Sequence, residues 1–189
     1  MLTAEQVKKL LAVHGEVRPQ LPEDWLGAFA LPVAVKRFYR EVGPVDVTIE
    51  GYGNPYFLPC LADLWQFQAG YRWKGLGGEL IEDWNDDWLV IADEGGDPFI
   101  FSRSTEAILH AYHGEGEWDP SMMFPDLNTM AACLAQLGAI VLEAGESFTD
   151  EEYCIRPECR ASALTRLESL LGSAVAAEAV LGILGWGAT

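Results

Sequence analysis

Three side chains of types that commonly bind metal ions, His110, His113 and Glu115, lie within six residues of one another. Imidazole nitrogens and carboxylate oxygens are ordinary ligands of zinc. We predict that His110 lies in a β-strand, where side chains three positions apart point to opposite faces. The two histidines could therefore chelate one ion only if the strand ended before His113. We predict no metal site and no other cofactor, and we keep a metal-dependent enzyme using His110 and His113 as an alternative.

Motifs of nucleophilic catalysis and of phosphate binding are absent from the sequence. Ser147 lies in the run Gly-Glu-Ser-Phe, which lacks the second glycine of a nucleophile elbow. The glycine-rich runs at 51–55 and 75–79 have neither the Walker spacing nor the dinucleotide-binding spacing. Cys154 and Cys159 have no second cysteine pair nearby, whereas a structural zinc site requires two closely spaced pairs. We therefore predict that the protein is not an enzyme.

Charge is the most informative property of the chain. The 189 residues include 29 acidic and 12 basic side chains, for a net charge of -17. Residues 75–155 carry the whole imbalance, with 18 acidic residues and one basic residue, Arg103. Such a segment repels nucleic acid, because phosphate binding requires clustered lysine and arginine. Its natural complement is a basic protein, although an acidic surface can also serve solubility alone.

Acidic pairs and tryptophans occur together in this segment. Adjacent aspartates could in principle act as general acid and base or bind calcium, but in turns they are usually solvated. Four of the seven tryptophans lie in or beside the segment, and tryptophan is enriched in binding hot spots. We predict that Trp88 packs in the core and that Trp84 and Trp118 are exposed. The predicted partner-binding residues are Trp84, Asp86, Asp87, Asp93, Glu94, Asp97, Glu115, Glu117 and Trp118.

Helical signals occur at both ends of the chain. Thr3 and Gln6 form a capping box that predicts a helix from Ala4 to near Gly15. Apolar residues at helical spacing predict five further helices. Asp126 is predicted to cap the helix at 127–142, and residues 149–152 suggest a second capping box before the helix at 158–171. The uncharged run 127–142 has 16 residues, fewer than a membrane span needs, so we predict a buried helix. The further helices are predicted at 31–43, 61–70, 127–142, 158–171 and 174–184.

Strand periodicity appears between these helices. Val45, Val47 and Ile49 alternate with polar residues and predict a strand that forms a hairpin with 56–58. Three antiparallel strands are predicted at 88–92, 99–101 and 107–112. Together these elements predict an α+β fold, with an antiparallel or mixed sheet of about five strands and helices packed on one face. The predicted organisation is an α+β domain at 1–145 and a helical extension at 146–189 packed on the same domain.

Two segments and their order resemble a known family. The run LPVAVKRFYREVGP is similar to a leucine-proline helix that ends in glycine, and WLVIADEGGDPFIF is similar to a tryptophan-started strand with a glycine-glycine-aspartate hairpin. A strand and a helix follow after an aromatic-rich loop. These features resemble the SUKH superfamily, the bacterial immunity proteins related to a yeast cell-wall-synthesis regulator and to the Syd protein. The likeness covers about residues 20–145, and Ser102 stands where the family often has an aspartate.

The resemblance implies a domain that binds a cognate toxin, often a nuclease, and protects the cell that makes it. An acidic protein could cover the basic surface of a nuclease without chemistry of its own. A second hypothesis is a Syd-like or regulator-like housekeeping module that binds cytoplasmic machinery. The charged N-terminal residues and the four scattered cysteines, which suit reduced thiols, predict a cytoplasmic protein with no secretory signal.

Overall fold

The computed structural model of the protein describes residues 2–75 and 78–187. Leu76 and Gly77 of the glycine-rich run at 75–79 therefore lie outside the described residues. The described part of the chain forms five α-helices and eight β-strands. The helices are α1 (Ala4–Leu11), α2 (Val33–Glu41), α3 (Leu127–Ala144), α4 (Pro157–Leu171) and α5 (Ala174–Ile183). The strands are β1 (Val47–Ile49), β2 (Tyr56–Leu58), β3 (Trp73–Lys74), β4 (Glu79–Leu80), β5 (Trp88–Glu94), β6 (Asp97–Ser102), β7 (Ile108–His110) and β8 (Ser121–Phe124).

Six strands form one antiparallel sheet in the order β1-β2-β5-β6-β7-β8, and β3 and β4 form a separate hairpin. The register of the two long strands runs from Trp88 opposite Ser102 to Glu94 opposite Asp97. The predicted α+β class and the antiparallel arrangement are confirmed. The sheet has one strand more than expected, because β8 has no alternating pattern and becomes a strand by pairing with β7.

The helices pack on one face of the six-stranded sheet, as predicted. The capping box of α1 is present, since the Thr3 side chain accepts from the Gln6 backbone N–H at 3.3 Å. Asp126 caps α3 by accepting the backbone N–H of Thr129 at 2.8 Å. With the turn that follows it, α3 is long and apolar enough to span a membrane, yet 61% of its most apolar window is buried inside the protein. It is the central core helix, which confirms the predicted buried helix.

The two C-terminal helices share the main core. Cys159, Ala163 and Leu167 of α4 belong to the same buried cluster as Val180 of α5 and the residues of α3. The predicted capping box before α4 is wrong. Residue 149 instead forms a β-bridge with residue 155, and α4 starts at a proline, which suits the first helical turn because its missing N–H needs no partner.

The second face of the sheet is covered by the side chains of Phe67, Tyr71, Ile81 and Trp84 and by Trp118 in the loop before β8. The predicted helix at 61–70 is wrong, because the structure has only a short 3-10 turn, Gln66–Gln68, within irregular turns. The buried amide of Gln68 donates to the Val90 carbonyl and accepts from the Val90 N–H, both at 2.9 Å. β2 pairs with β5 only at Asp93 and Glu94, so Gln68 satisfies backbone groups of Val90 that would otherwise be buried unpaired.

Candidate protein-binding surface

Three connections meet at one end of the six-stranded sheet: the β1–β2 turn, the β5–β6 turn and the loop that follows β7. A Cβ atom on Gly95 would clash with the Asn54 side chain, and one on Gly96 would lie 3.5 Å from Nδ1 of His113. Both glycines have positive φ angles, 61° and 107°, which permit this tight turn. We call this part of the molecule the hairpin end; it comprises residues 50–55, 93–97 and 112–117.

The hairpin end is strongly acidic. Its three segments contain neither lysine nor arginine. The Tyr52 hydroxyl donates to the Tyr153 carbonyl at 3.0 Å, and this bond places a further acidic turn, residues 150–152, beside the hairpin end. Tertiary structure thus gathers acids from four separate stretches of sequence. The acids of the hairpin end are Glu50, Asp93, Glu94, Asp97, Glu115 and Glu117.

Asp97 joins two of these connections. One oxygen of its carboxylate accepts the backbone N–H of His113 at 2.7 Å and lies 2.6 Å from the ring Nδ1 of the same residue. The bonds hold the loop after β7 against the β5–β6 turn, where Asp97, Glu94 and Glu115 all lie near enough to Tyr112 to raise the pKa of its hydroxyl, in addition to the larger effect of burial. The exposed acids of the loop therefore add to the charge of the turn.

Glu94 lies directly opposite Asp97 in the β5–β6 register and opposite Tyr56 in the β2–β5 register. Burial, with a smaller effect of the Asp97 carboxylate, raises the pKa of Glu94 to about 8. Burial therefore favours the uncharged form of the Glu94 carboxyl over the ionised form. The negative charge of the hairpin end comes from its other acids.

Asp93 points to the opposite face of the sheet, where it accepts a hydrogen bond from the Tyr71 hydroxyl at 2.9 Å. Burial raises the pKa of Asp93, while hydrogen bonds from Tyr71 and from the Gly96 backbone lower it. A cavity of about 490 Å³ opens beside this carboxylate. Its walls are Gln66, Phe67, Ala69, Gly70, Tyr71, Asp93, Gly96, His113 and Trp118.

Asp86 and Asp87 lie at the other end of β5. A seven-residue strand separates them from Glu94 by about 20 Å, at about 3.3 Å per residue. The Asp86 carboxylate lies 2.5 Å from the guanidinium of Arg72, and Arg103 donates to the Asp86 carbonyl at 3.2 Å. The structure thus places both predicted acids apart from the hairpin end and pairs Asp86 with a positive charge.

Ser102, which stands where members of the SUKH superfamily often have an aspartate, is buried next to Asp87. The Ser102 hydroxyl donates to the Asp87 carboxylate at 2.7 Å, and the Ser104 hydroxyl donates to the same oxygen at 3.0 Å. A carboxylate therefore does lie beside this position, but it is supplied by the segment before β5.

The predicted exposure of Trp84 is wrong, because its side chain is only 7% exposed. Trp84 packs at 5.3 Å from the Trp88 ring and at 5.8 Å from the Trp118 ring, measured between centroids. The second face of the sheet is apolar at Val90 and Ile100 and needs a cover, which these rings provide. Trp118 is partly exposed, so of the two tryptophans predicted to be exposed only Trp118 lies at the surface.

Sequence reasoning missed Tyr71 and Phe67, the aromatic walls of the cavity beside Asp93. They precede Asp93 by more than twenty residues, and the helical spacing of the neighbouring Leu61, Leu64, Trp65 and Gln68 predicted a helix here instead. It also missed a group at the end of the β1–β2 pair that lies away from the hairpin end, where ligand atoms of Asp46, Cys60 and Asp63 lie within 4.8 Å of one another. No local sequence signal predicts either grouping, because long-range packing brings the residues together.

The two histidines considered as metal ligands have different surroundings. His110 is 3% exposed, and burial lowers its pKa. β7 ends at His110, so the strand does end before His113, as chelation of one ion by both histidines would require. His113 is nevertheless turned toward Asp97, and within residues 2–75 and 78–187 neither histidine belongs to a group of three clustered metal ligands.

Comparisons of the chain with protein-family models, with curated proteins and with solved structures find no match. The resemblance to the SUKH superfamily therefore stays a prediction that rests on the two sequence segments quoted above.

Proposed function

We propose that the protein is a non-catalytic immunity protein of the SUKH type, which binds a basic, nuclease-type toxin in the cytoplasm and neutralises it. The observation that carries this proposal is the hairpin end, where acidic side chains of three separate segments and an adjacent acidic turn gather without lysine or arginine. An acidic surface of this kind steers a basic protein toward it and raises the association rate.

Neutralisation requires no reaction. A nuclease must hold the phosphate backbone of its substrate with clustered basic side chains. A protein that covers those side chains with carboxylates occupies the substrate site, so one molecule of inhibitor blocks one molecule of toxin. Exposed Glu115 and Glu117 supply charge to the encounter, and the partly exposed Trp118 supplies apolar contact at the same place.

Two double variants with the same change of net charge test this proposal. Glu115→Lys/Glu117→Lys reverses charge at the hairpin end, and Glu158→Lys/Glu168→Lys reverses charge on exposed positions of α4. Each is co-expressed with the toxin domain encoded beside the gene, and association of the purified proteins is measured at about 0.05 M and about 0.5 M salt.

We expect the hairpin-end variant to lose protection and to associate about tenfold more slowly at the lower salt concentration. The α4 variant should protect like the unmodified protein. The proposal is wrong if the unmodified protein fails to protect, or if both double variants protect fully.

A further inference from the structure

We infer that the cavity beside Asp93 receives an arginine side chain of the basic partner. This inference rests on the proposed function and names the chemical group that the hairpin end recognises. The cavity has a volume of about 490 Å³ and opens at the hairpin end, between the β5–β6 turn and residues 66–71. An extended guanidinium side chain can enter it from the surface.

The charge of the cavity walls favours a cation. Asp93 supplies a carboxylate, and the described residues that line the cavity include neither lysine nor arginine. Their basic ring, that of His113, is turned toward the Asp97 carboxylate, which lies 2.6 Å from its Nδ1. The Tyr71 hydroxyl holds one Asp93 oxygen at 2.9 Å and so fixes the direction of the carboxylate. A cation that enters the cavity therefore meets an oriented acceptor.

The remaining walls are suited to a flat, weakly hydrated cation. The Tyr71 ring lies 6.2 Å from the Phe67 ring and 5.8 Å from the Trp118 ring, between centroids. Aromatic faces attract cations, and a guanidinium also stacks on them because it is planar. The ammonium of lysine is more strongly hydrated, so aromatic walls compensate it less well for lost water.

The chain already holds guanidinium groups with this combination of side chains. The Arg103 guanidinium lies 4.3 Å from the centroid of the Phe29 ring. The Arg72 guanidinium lies 5.7 Å from the same ring and pairs with Asp86. Aromatic rings next to an aspartate thus bind arginine inside this fold, and the cavity beside Asp93 presents the same groups without an internal arginine among its described walls.

The test uses hexaarginine and hexalysine peptides with the full-length protein. Titration calorimetry gives the affinities, and ¹⁵N-labelled tryptophan gives the indole signal of residue 118, assigned with Trp118→Phe. Asp93→Asn removes the charge but keeps an oxygen that accepts from Tyr71. Asp119→Asn is the matched control, since it removes one charge from an exposed residue beside Trp118 that does not line the cavity.

We expect hexaarginine to shift the indole signal of Trp118 and to bind several-fold more tightly than hexalysine. Asp93→Asn should weaken hexaarginine about tenfold, and Asp119→Asn less than about threefold. Trp118→Leu, which keeps an apolar side chain, should weaken the binding of hexaarginine about fivefold. This variant tests the cavity independently if Asp93→Asn does not fold.

Equal weakening by Asp93→Asn and Asp119→Asn would overturn the inference, because the peptide would then sense only diffuse charge. Equal affinity of the two peptides, or an unmoved Trp118 signal, would overturn it as well. None of these results decides the proposed function, which the co-expression experiment tests separately through Glu115 and Glu117.

Discussion

Replacing Glu94 by glutamine should make the protein more stable at alkaline pH. Glutamine keeps the shape of the side chain but cannot ionise. Glu94 is half-buried opposite Asp97, and this position raises its pKa from 4.5 to about 8. In the unfolded chain the same carboxyl ionises near its ordinary value, because both burial and the neighbouring Asp97 are lost.

The sign of the effect follows from proton binding. Between pH 4.5 and about pH 8 the folded protein holds a proton on Glu94 that the unfolded chain has released. Stability therefore falls as pH rises through this window. A difference of about 3.5 pH units corresponds to at most about 5 kcal/mol, at about 1.4 kcal/mol per unit. Because part of the carboxyl faces solvent, screening reduces this value, and we expect about 2 kcal/mol.

Urea denaturation followed by circular dichroism, at a series of pH values from about 5 to about 9, measures this difference. The free energy of unfolding of Glu94→Gln should exceed that of the unmodified protein by about 2 kcal/mol at the alkaline end and by less than about 1 kcal/mol near pH 5. Glu117→Gln, an exposed acid of the same hairpin end, is the control and should show no such trend. A difference between Glu94→Gln and the unmodified protein that stays constant across the series would refute the assignment of Glu94 as a desolvated carboxyl.

Two further predictions concern the two cores. A Cβ atom on Gly138 of α3 would overlap the Ile49 side chain and lie 2.9 Å from the His14 ring. Gly138→Ala should therefore lower the free energy of unfolding by about 1–2 kcal/mol, despite the better helix propensity of alanine. An unchanged or higher urea midpoint would contradict this prediction. Trp84→Ala should cost about 3–5 kcal/mol, because the ring is buried in the second cluster. A stability loss below about 1 kcal/mol would show that Trp84 is a surface residue after all.

Local signals in the sequence determined much of the fold. Capping side chains such as Thr3 and Asp126 act within one helical turn, so their effect is visible in a few residues. Short continuous apolar runs in β5 and β6, with two glycines between them, likewise indicate a hairpin without reference to other parts of the chain. The acidic character of residues 75–155 is a property of composition and needed no structure.

Tertiary structure alone decided which of these acids act together. Asp86 and Asp93 are only seven positions apart in the sequence, but an extended strand carries them to opposite ends of the sheet. Glu115 instead lies in the loop that the hydrogen bond from the His113 backbone to Asp97 holds against the β5–β6 turn. Burial was decided in the same way: Trp84 looks like a loop residue in the sequence, and it is buried because the second face of the sheet is apolar and must be covered by a distant segment.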